Sequence, residues 1–162
     1  MQEENNNFER LGKLLDECEV AMLTTFDADG EPHSRPMGHV QHEFNGYLWF
    51  FTAADSGMVA EINARDLVHV TYSHPSKQIY ASITGYAEIV QDRQKLEELW
   101  TPIATAWFPE GINDPNLRLI KVGVTKAEYW DIQINKFSQI FGIAKAIAKG
   151  ETYETGVHGR IQ

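Results

Sequence analysis

The sequence predicts a mainly β fold, a small antiparallel barrel with peripheral helices, and three observations carry that expectation. Six runs read as strands, most of them apolar and rich in β-forming residues. Turn-forming clusters separate most of them at hairpin spacing. The order of elements does not repeat as strand–helix–strand, which argues against a doubly wound parallel sheet. The chain has 162 residues, a length suited to one domain and one core. We therefore expect a single domain over 1–162, with its core at about 8–150 and a polar tail at 150–162.

Taken in order, Phe8, Leu11, Leu14, Leu15 and Cys18 recur every three or four residues and predict an amphipathic helix over 8–18. VAMLTTF (20–26) reads as a strand closed by the turn Asp27-Ala28-Asp29-Gly30. HSRPMGHVQH (33–42) reads as a second strand. Pro36 lacks a ladder N–H, so this strand should be irregular or lack a neighbour on one side. Glu43-Phe44-Asn45-Gly46 then leads to YLWFFTA (47–53), and the three strands are expected to form a meander. A short helix follows over 56–65, capped by Asp55 or Ser56. LVHVTYS (67–73) and QIYASITGYAEIV (78–90) form a hairpin around His74-Pro75-Ser76-Lys77. Asp92 caps a helix through 92–100, Pro109 to Asn116 is a loop, and 117–132 is a long strand. Phe137, Ile140, Phe141, Ala144, Ile147 and Ala148 line one face of a closing helix.

Charge narrows the function. The chain carries 14 Lys and Arg against 23 Asp and Glu, a formal net of −9. That balance argues against nucleic acid as a partner, because phosphate-backbone affinity comes from clustered cations. No apolar run approaches the roughly 20 residues of a spanning helix, and the amino terminus lacks a signal-peptide pattern. The single cysteine, Cys18, excludes an internal disulfide and suits a reducing compartment. The expectation is a cytoplasmic protein with neither a membrane nor a nucleic-acid partner.

Dinucleotide, P-loop, nucleophile-elbow and Cys-x-x-Cys signatures are missing. His33, His39 and His42 invite a metal reading. On an extended strand His33 and His39 lie about 20 Å apart and His42 points to the opposite face, so no metal site is expected. Arg35-Pro36-Met37 in the second strand, Phe50-Phe51-Thr52 in the third and Asp55-Ser56-Gly57 at a helix start are more informative. A guanidinium, a hydroxyl and helix amides suit a phosphate. The same residues also fit a plain alternative, in which Arg35 pairs with an acidic surface and Ser56 only caps its helix.

TTFDADGEPHSRPM, YLWFFT, a short helix, ITGYAEIVQD, AWFPEG and AEYWDI follow one another in an order and spacing that resemble one family. It is the general stress protein branch of the pyridoxamine 5′-phosphate oxidase-like, flavin-binding split-barrel superfamily. The resemblance covers about residues 8–150. It implies a six-stranded antiparallel split β-barrel and a homodimer holding flavin mononucleotide (FMN, with the dinucleotide FAD as the alternative) between subunits. It implies that Arg35, Pro36, Met37 and Gly38, with Phe51 and Thr52, line the flavin. Ser56 and Gly57 would face its phosphate, and Trp107 would lie near the ring or the dimer seam.

Two departures stand out. Members commonly place lysine two residues after the serine, where it pairs with the phosphate; this chain has Met58. True pyridoxamine phosphate oxidases continue from the Glu-aromatic-Trp segment into Arg-Leu-His-x-Arg. Here Glu128-Tyr129-Trp130 runs into Asp131-Ile132-Gln133-Ile134-Asn135. The resulting expectation is an FMN-binding general-stress-type protein, an oxidoreductase on an unknown small substrate other than pyridoxamine phosphate. The alternatives are a flavin-binding stress sensor without turnover and a flavin-free barrel acting as an interaction module. No residue stands out as a catalytic acid or base.

Overall fold

A computed structural model describes residues 2–40, 43–132, 136–153 and 156–162, with side chains given from residue 6 and, in the closing helix, from residue 143. His42, Gln133, Ile134 and Asn135, and the side chains of Phe137, Ile140 and Phe141, lie outside the described residues. The elements are α1 (Gln2–Asp16), β1 (Val20–Phe26), β2 (Pro32–Gly38), β3 (Tyr47–Ala53), α2 (Gly57–Ala64), β4 (Leu67–His74), β5 (Ile79–Val90), α3 (Arg93–Leu99), β6 (Leu117–Asp131), α4 (Lys136–Lys149) and β7 (Val157–Ile161). The strands form one antiparallel sheet in the order β2-β1-β4-β5-β6-β3, with β7 also on β6. It curls into a half-barrel whose two path ends, β2 and β3, approach each other without a ladder between them. This is the split-barrel architecture.

The expected meander is therefore incorrect at its second joint. β1 and β2 are a hairpin, with Met22 opposite Pro36 and Leu23 opposite Arg35, but β3 pairs β6 along Tyr47–Ala53. Pro36 supplies the reason: without an N–H it suits an edge strand, and β2 has a ladder partner on one side only. The strand also ends at Gly38, four residues before the expected limit. The segment expected to be a polar tail ends instead in β7, where Gly159 and Ile161 turn inward. The first helix starts at Gln2, a turn and a half before its apolar stripe begins.

Two cores follow from strands that bury both faces. Leu48 and Phe50 of β3 and Ile120 and Val122 of β6 point into the barrel, together with Leu11 and Leu15 of α1 and Met58 and Ile62 of α2. The alternate residues Trp49 and Phe51 of β3 and Leu117 and Leu119 of β6 point outward, under Leu96 and Leu99 of α3 and Phe108. Asp92 caps α3 by accepting from the Lys95 amide at 3.1 Å. A 3₁₀ turn at Pro102–Ala106 replaces any continuation of α3.

Gly159 is indispensable to β7. It lies opposite Tyr129 in the ladder, and a Cβ there would fall 2.2 Å from Cζ of that buried ring. Gly159→Ala should cost about 1–3 kcal/mol by overpacking. The exposed neighbour change Arg160→Ala should cost about 0.5 kcal/mol or less. Thermal or denaturant unfolding of the two variants measures the contrast, and equal losses would show that β7 does not depend on this contact.

Candidate functional site

On β2, alternation puts His33, Arg35 and Met37 on one face. Met37 is buried in the barrel core. Arg35 reaches α2, where its Nη2 lies 2.9 Å from both oxygens of the Glu61 carboxylate. Its Nη1 donates to Thr25 Oγ1 at 2.7 Å, and Nη2 also meets His33 Nδ1 at 2.9 Å. The fully buried Thr25 hydroxyl donates in turn to Glu61. The Arg35 and Thr25 bonds hold the Glu61 carboxyl down at about 2. Arg35 and Glu61 are only 22% and 17% exposed, so this pair escapes most of the solvent screening that makes surface pairs weak.

The start of α2 forms a separate constellation. Ser56 Oγ accepts from the Val59 amide at 3.3 Å as the N-cap, and lies 3.2 Å from Thr52 Oγ1. Gly57 is exposed, with open space where a Cβ would stand. Asp55 turns away: its carboxylate accepts from Asn116 Nδ2 at 2.9 Å, and Asn116 Oδ1 accepts from the Asp55 amide. Met58 points into the barrel and is buried. Four residues of helix, a rise of about 6 Å, separate Gly57 from Glu61. The structure therefore gathers Thr52, Ser56 and Gly57 at one end of α2 and ties Arg35 further along it.

The other expected site residues divide between surfaces. Pro36 and Gly38 are exposed on the outer face of β2, with nothing near a Cβ at Gly38. Phe51, next to Thr52, faces the opposite way and meets Trp100 edge-on at 5.7 Å between centroids. In the turn after α3, Phe108 is buried in the outer core while Trp107 stands 72% exposed beside Ile103.

Sequence reasoning missed the outer face running from β2 to β6. Cross-strand registers line up Ser34, Thr24, His69, Thr84 and Lys126 as one row, and Pro36, Met22, Thr71, Ser82 and Glu128 as the next. Thr24 and Ser34 hydroxyls lie 2.7 Å apart, and the His69 ring sits between Thr84 and Ser82 at 3.2 and 3.3 Å. This face opens into a recess of about 280 Å³ whose lining includes Ser82, Thr84, Lys126, Glu128 and Arg160. β7 completes it. His158 Nε2 and Arg160 Nη2 reach Glu128 Oε1 at 2.6 and 2.9 Å and hold its carboxyl below the usual range, Arg160 first. His158 also stacks on Trp130, with centroids 5.3 Å apart. A His-x-Arg pair thus stands beside Glu128 and Trp130, delivered from beyond α4. The usable signal was the alternation of Val157, Gly159 and Ile161 with those two polar residues. Among the described residues, no group of three His, Cys, Asp or Glu is placed to hold a metal ion.

These observations test the fit of a flavin. The open backbone at Gly38 and Gly57, the hydroxyl rows and the exposed Trp107 fit a flat aromatic ring with polar edges. The cation expected for its phosphate is engaged by Glu61, and the position of the family lysine is a core methionine. Two predictions follow from the α2 geometry. Because the folded Glu61 carboxyl is depressed, its stabilisation is complete above about pH 4.5 and is lost as pH falls toward 2. Glu61→Gln should therefore lower stability at neutral pH and flatten the acid limb between those values, as read by unfolding midpoints against pH. Met58→Lys, which restores the family residue, should lose about 2 kcal/mol or more by burying an ammonium. An unchanged midpoint would mean that the lysine reaches solvent.

Comparison with known proteins agrees with the fold and the motif order. The family model for pyridoxamine 5′-phosphate oxidase-like proteins matches residues 6–154. A general stress protein 26-type structure from Jannaschia sp. CCS1 superposes with a TM-score of 0.79 at 26% identity, covering 100% of this chain and 99% of that one. The general stress FMN/FAD binding protein of Xanthomonas citri gives 0.69 at 28% identity, over 81% and 92% of the two chains. Protein bli-3 of Neurospora crassa is 25% identical over 151 residues, 87% of this chain and 72% of that protein. With a matching model across nearly the whole barrel, the chain belongs to the pyridoxamine 5′-phosphate oxidase-like family.

Proposed function

We propose that two copies of this chain bind flavin mononucleotide in the seam between them and use it as an oxidoreductase on a small substrate. The observation that carries this reading is the hydroxyl-lined outer face of β2, β1, β4 and β5, which ends in the recess at Lys126 and Arg160. At about 280 Å³ that recess falls below the roughly 300–1,000 Å³ of a complete small-molecule site. A second copy laid over the face would enlarge and close it. The 72% exposed Trp107 and 73% exposed Ile103 then gain a reason to be apolar, as seats for the partner or for the ring.

In this reading Pro36 and Gly38 present backbone and an apolar edge to the ring, and Trp107 covers it. Thr52, Ser56 and Gly57 face the phosphate end. Met37 and Phe51 act from behind, by fixing β2 and β3 from the two cores. The flavin supplies hydride or electron transfer when bound. The chain supplies orientation, through the hydroxyl rows, and exclusion of water, through closure of the face. A substrate would share the recess, where Lys126 has no carboxylate partner among the described residues and the His69 ring is held between the Thr84 and Ser82 hydroxyls. Pyridoxamine phosphate is not the substrate of choice. Its motif asks for two arginines, and β7 brings one, already paired with Glu128. FAD needs further room for its adenine, so the mononucleotide is favoured. The reading places the protein in the cytoplasm, where reduced flavin and an unpaired Cys18 are both at home.

Purified protein should show flavin bands in the near ultraviolet and blue, and added FMN should lose fluorescence on binding. At a hundredfold excess over Kd, FMN should raise stability by about 2.7 kcal/mol. Sedimentation should give a dimer. A protein that neither quenches FMN nor gains stability from it would leave the flavin-free interaction module as the reading.

A further inference from the structure

We propose that Glu61 determines which flavin this chain takes. By holding Arg35 it withholds the guanidinium from a phosphate, so the protein recognises flavin by its ring and binds riboflavin about as well as FMN. The inference rests on the flavin reading above and concerns the same site.

The geometry is that of an internal anion already seated on the cation. Both carboxylate oxygens of Glu61 lie 2.9 Å from Arg35 Nη2. Arg35 Nη1 is engaged by Thr25, and His33 Nδ1 takes a further contact with Nη2. The guanidinium is therefore close to saturated on the four positions of its two terminal nitrogens. The Thr25 hydroxyl, with no solvent exposure, supports the carboxylate from the other side. A phosphate approaching Arg35 would have to displace Glu61 and leave a carboxylate unpaired at 17% exposure, which is costlier than the exchange of one anion for another in water.

Charge arithmetic points the same way. Arg35 and Glu61 sum to zero, so their pair offers a phosphate no net attraction at a distance. The second cation of the family socket is a methionine whose side chain is buried in the barrel. Ser56 and Thr52, at the start of α2, give hydroxyls rather than charge. The chain as a whole carries −9. What is left for recognition is the uncharged part of the ligand, for which the rows of hydroxyls, Pro36, Gly38 and the exposed Trp107 are suited. Replacing Glu61 by glutamine keeps an acceptor for Arg35 and Thr25 but no longer cancels the guanidinium charge, and so makes Arg35 available to a phosphate.

The test is a fluorescence-quench titration of FMN and of riboflavin at physiological ionic strength, on wild type, Glu61→Gln and Glu61→Gln/Arg35→Gln. The expected result is a wild-type FMN-to-riboflavin preference of about threefold or less, rising about tenfold or more in Glu61→Gln through tighter FMN binding alone. The double variant should return the preference to the wild-type value, which assigns the gain to Arg35 rather than to a general loss of negative charge. A wild-type preference for FMN of about thirtyfold or more, or a Glu61→Gln preference equal to wild type, overturns this inference and leaves the flavin reading standing. If neither flavin binds wild type or Glu61→Gln, the flavin reading fails and this inference with it. Unfolding midpoints without flavin confirm that each variant is folded over the titration.

Discussion

The structure depends on the pairing of β6 along both of its edges. One edge is taken by β5 from Leu119 to Asp131; the other is shared, with β3 on its first half and β7 on its last five residues. A strand so paired cannot run straight. The ladder with β5 slips between Thr84 and Gly85, where Thr125 is left over and its hydroxyl donates to the Thr84 carbonyl at 3.1 Å. Such a bulge raises the local twist, and here it separates the half of β6 that meets β3 from the half that meets β7. Gly85 makes the slip possible: a Cβ there would lie 2.3 Å from the Gly123 carbonyl oxygen. Thr52, Lys126 and Glu128, with the β7 pair His158 and Arg160, are positioned through this one strand.

How much of this was legible follows from how local each signal is. The β1–β2 and β4–β5 hairpins are written in adjacent residues, as a turn cluster between two β-rich runs, and both were read. The caps of α2 and α3 are equally local, with Ser56 and Asp92 holding amides three residues on. The partner of β3 was not legible, because its ladder joins residues some seventy positions apart in sequence and the short turn before it imitates a hairpin. Only Pro36 hinted otherwise. β7 was hidden by its composition: two of its five residues are charged or titratable and one is glycine, so its hydrophobic alternation rests on Val157 and Ile161 alone. The site divides in the same way. The phosphate reading grouped Arg35, Thr52 and Ser56, but a helix spreads its residues along an axis: Thr52 and Ser56 meet at its start and Arg35 is tied further along, and no sequence pattern indicated that Glu61 would face β2.

The two cores explain why the site sits where it does. β3 and the first half of β6 are buried on both faces, one toward the barrel and one toward α3, which leaves the second half of β6, at Lys126 and Glu128, to line the recess. The outer faces of β1, β4 and β5 carry instead Met22, Thr71, His69 and Ser82, half-exposed and rich in hydroxyls. A strand with one solvated face normally shows lysine or glutamate there. Hydroxyls and an exposed methionine are better matched to a neutral surface laid flat on the sheet than to bulk water.

Electrostatics then selects among the ligands that such a face could hold. The cations around it come mostly in closed pairs: Arg35 with Glu61, Arg160 with Glu128, Lys121 with Glu88. Pairing keeps an acidic chain from repelling itself within the fold, and it also removes the long-range pull that steers an anion to a binding site. At the paired arginines an anionic group can be held only by exchange, in which it replaces a carboxylate and must return at least what that carboxylate contributed. The exchange is least costly where the carboxylate is most exposed. Glu128, at 30% exposure, can swing into water when a ligand reaches Arg160, whereas Glu61 is held by Thr25 as well as by Arg35 and has no comparable retreat. The two arginines therefore differ in kind. Arg160 lies behind a replaceable carboxylate at the mouth of the recess, and Arg35 is part of the framework that fastens α2 to β2.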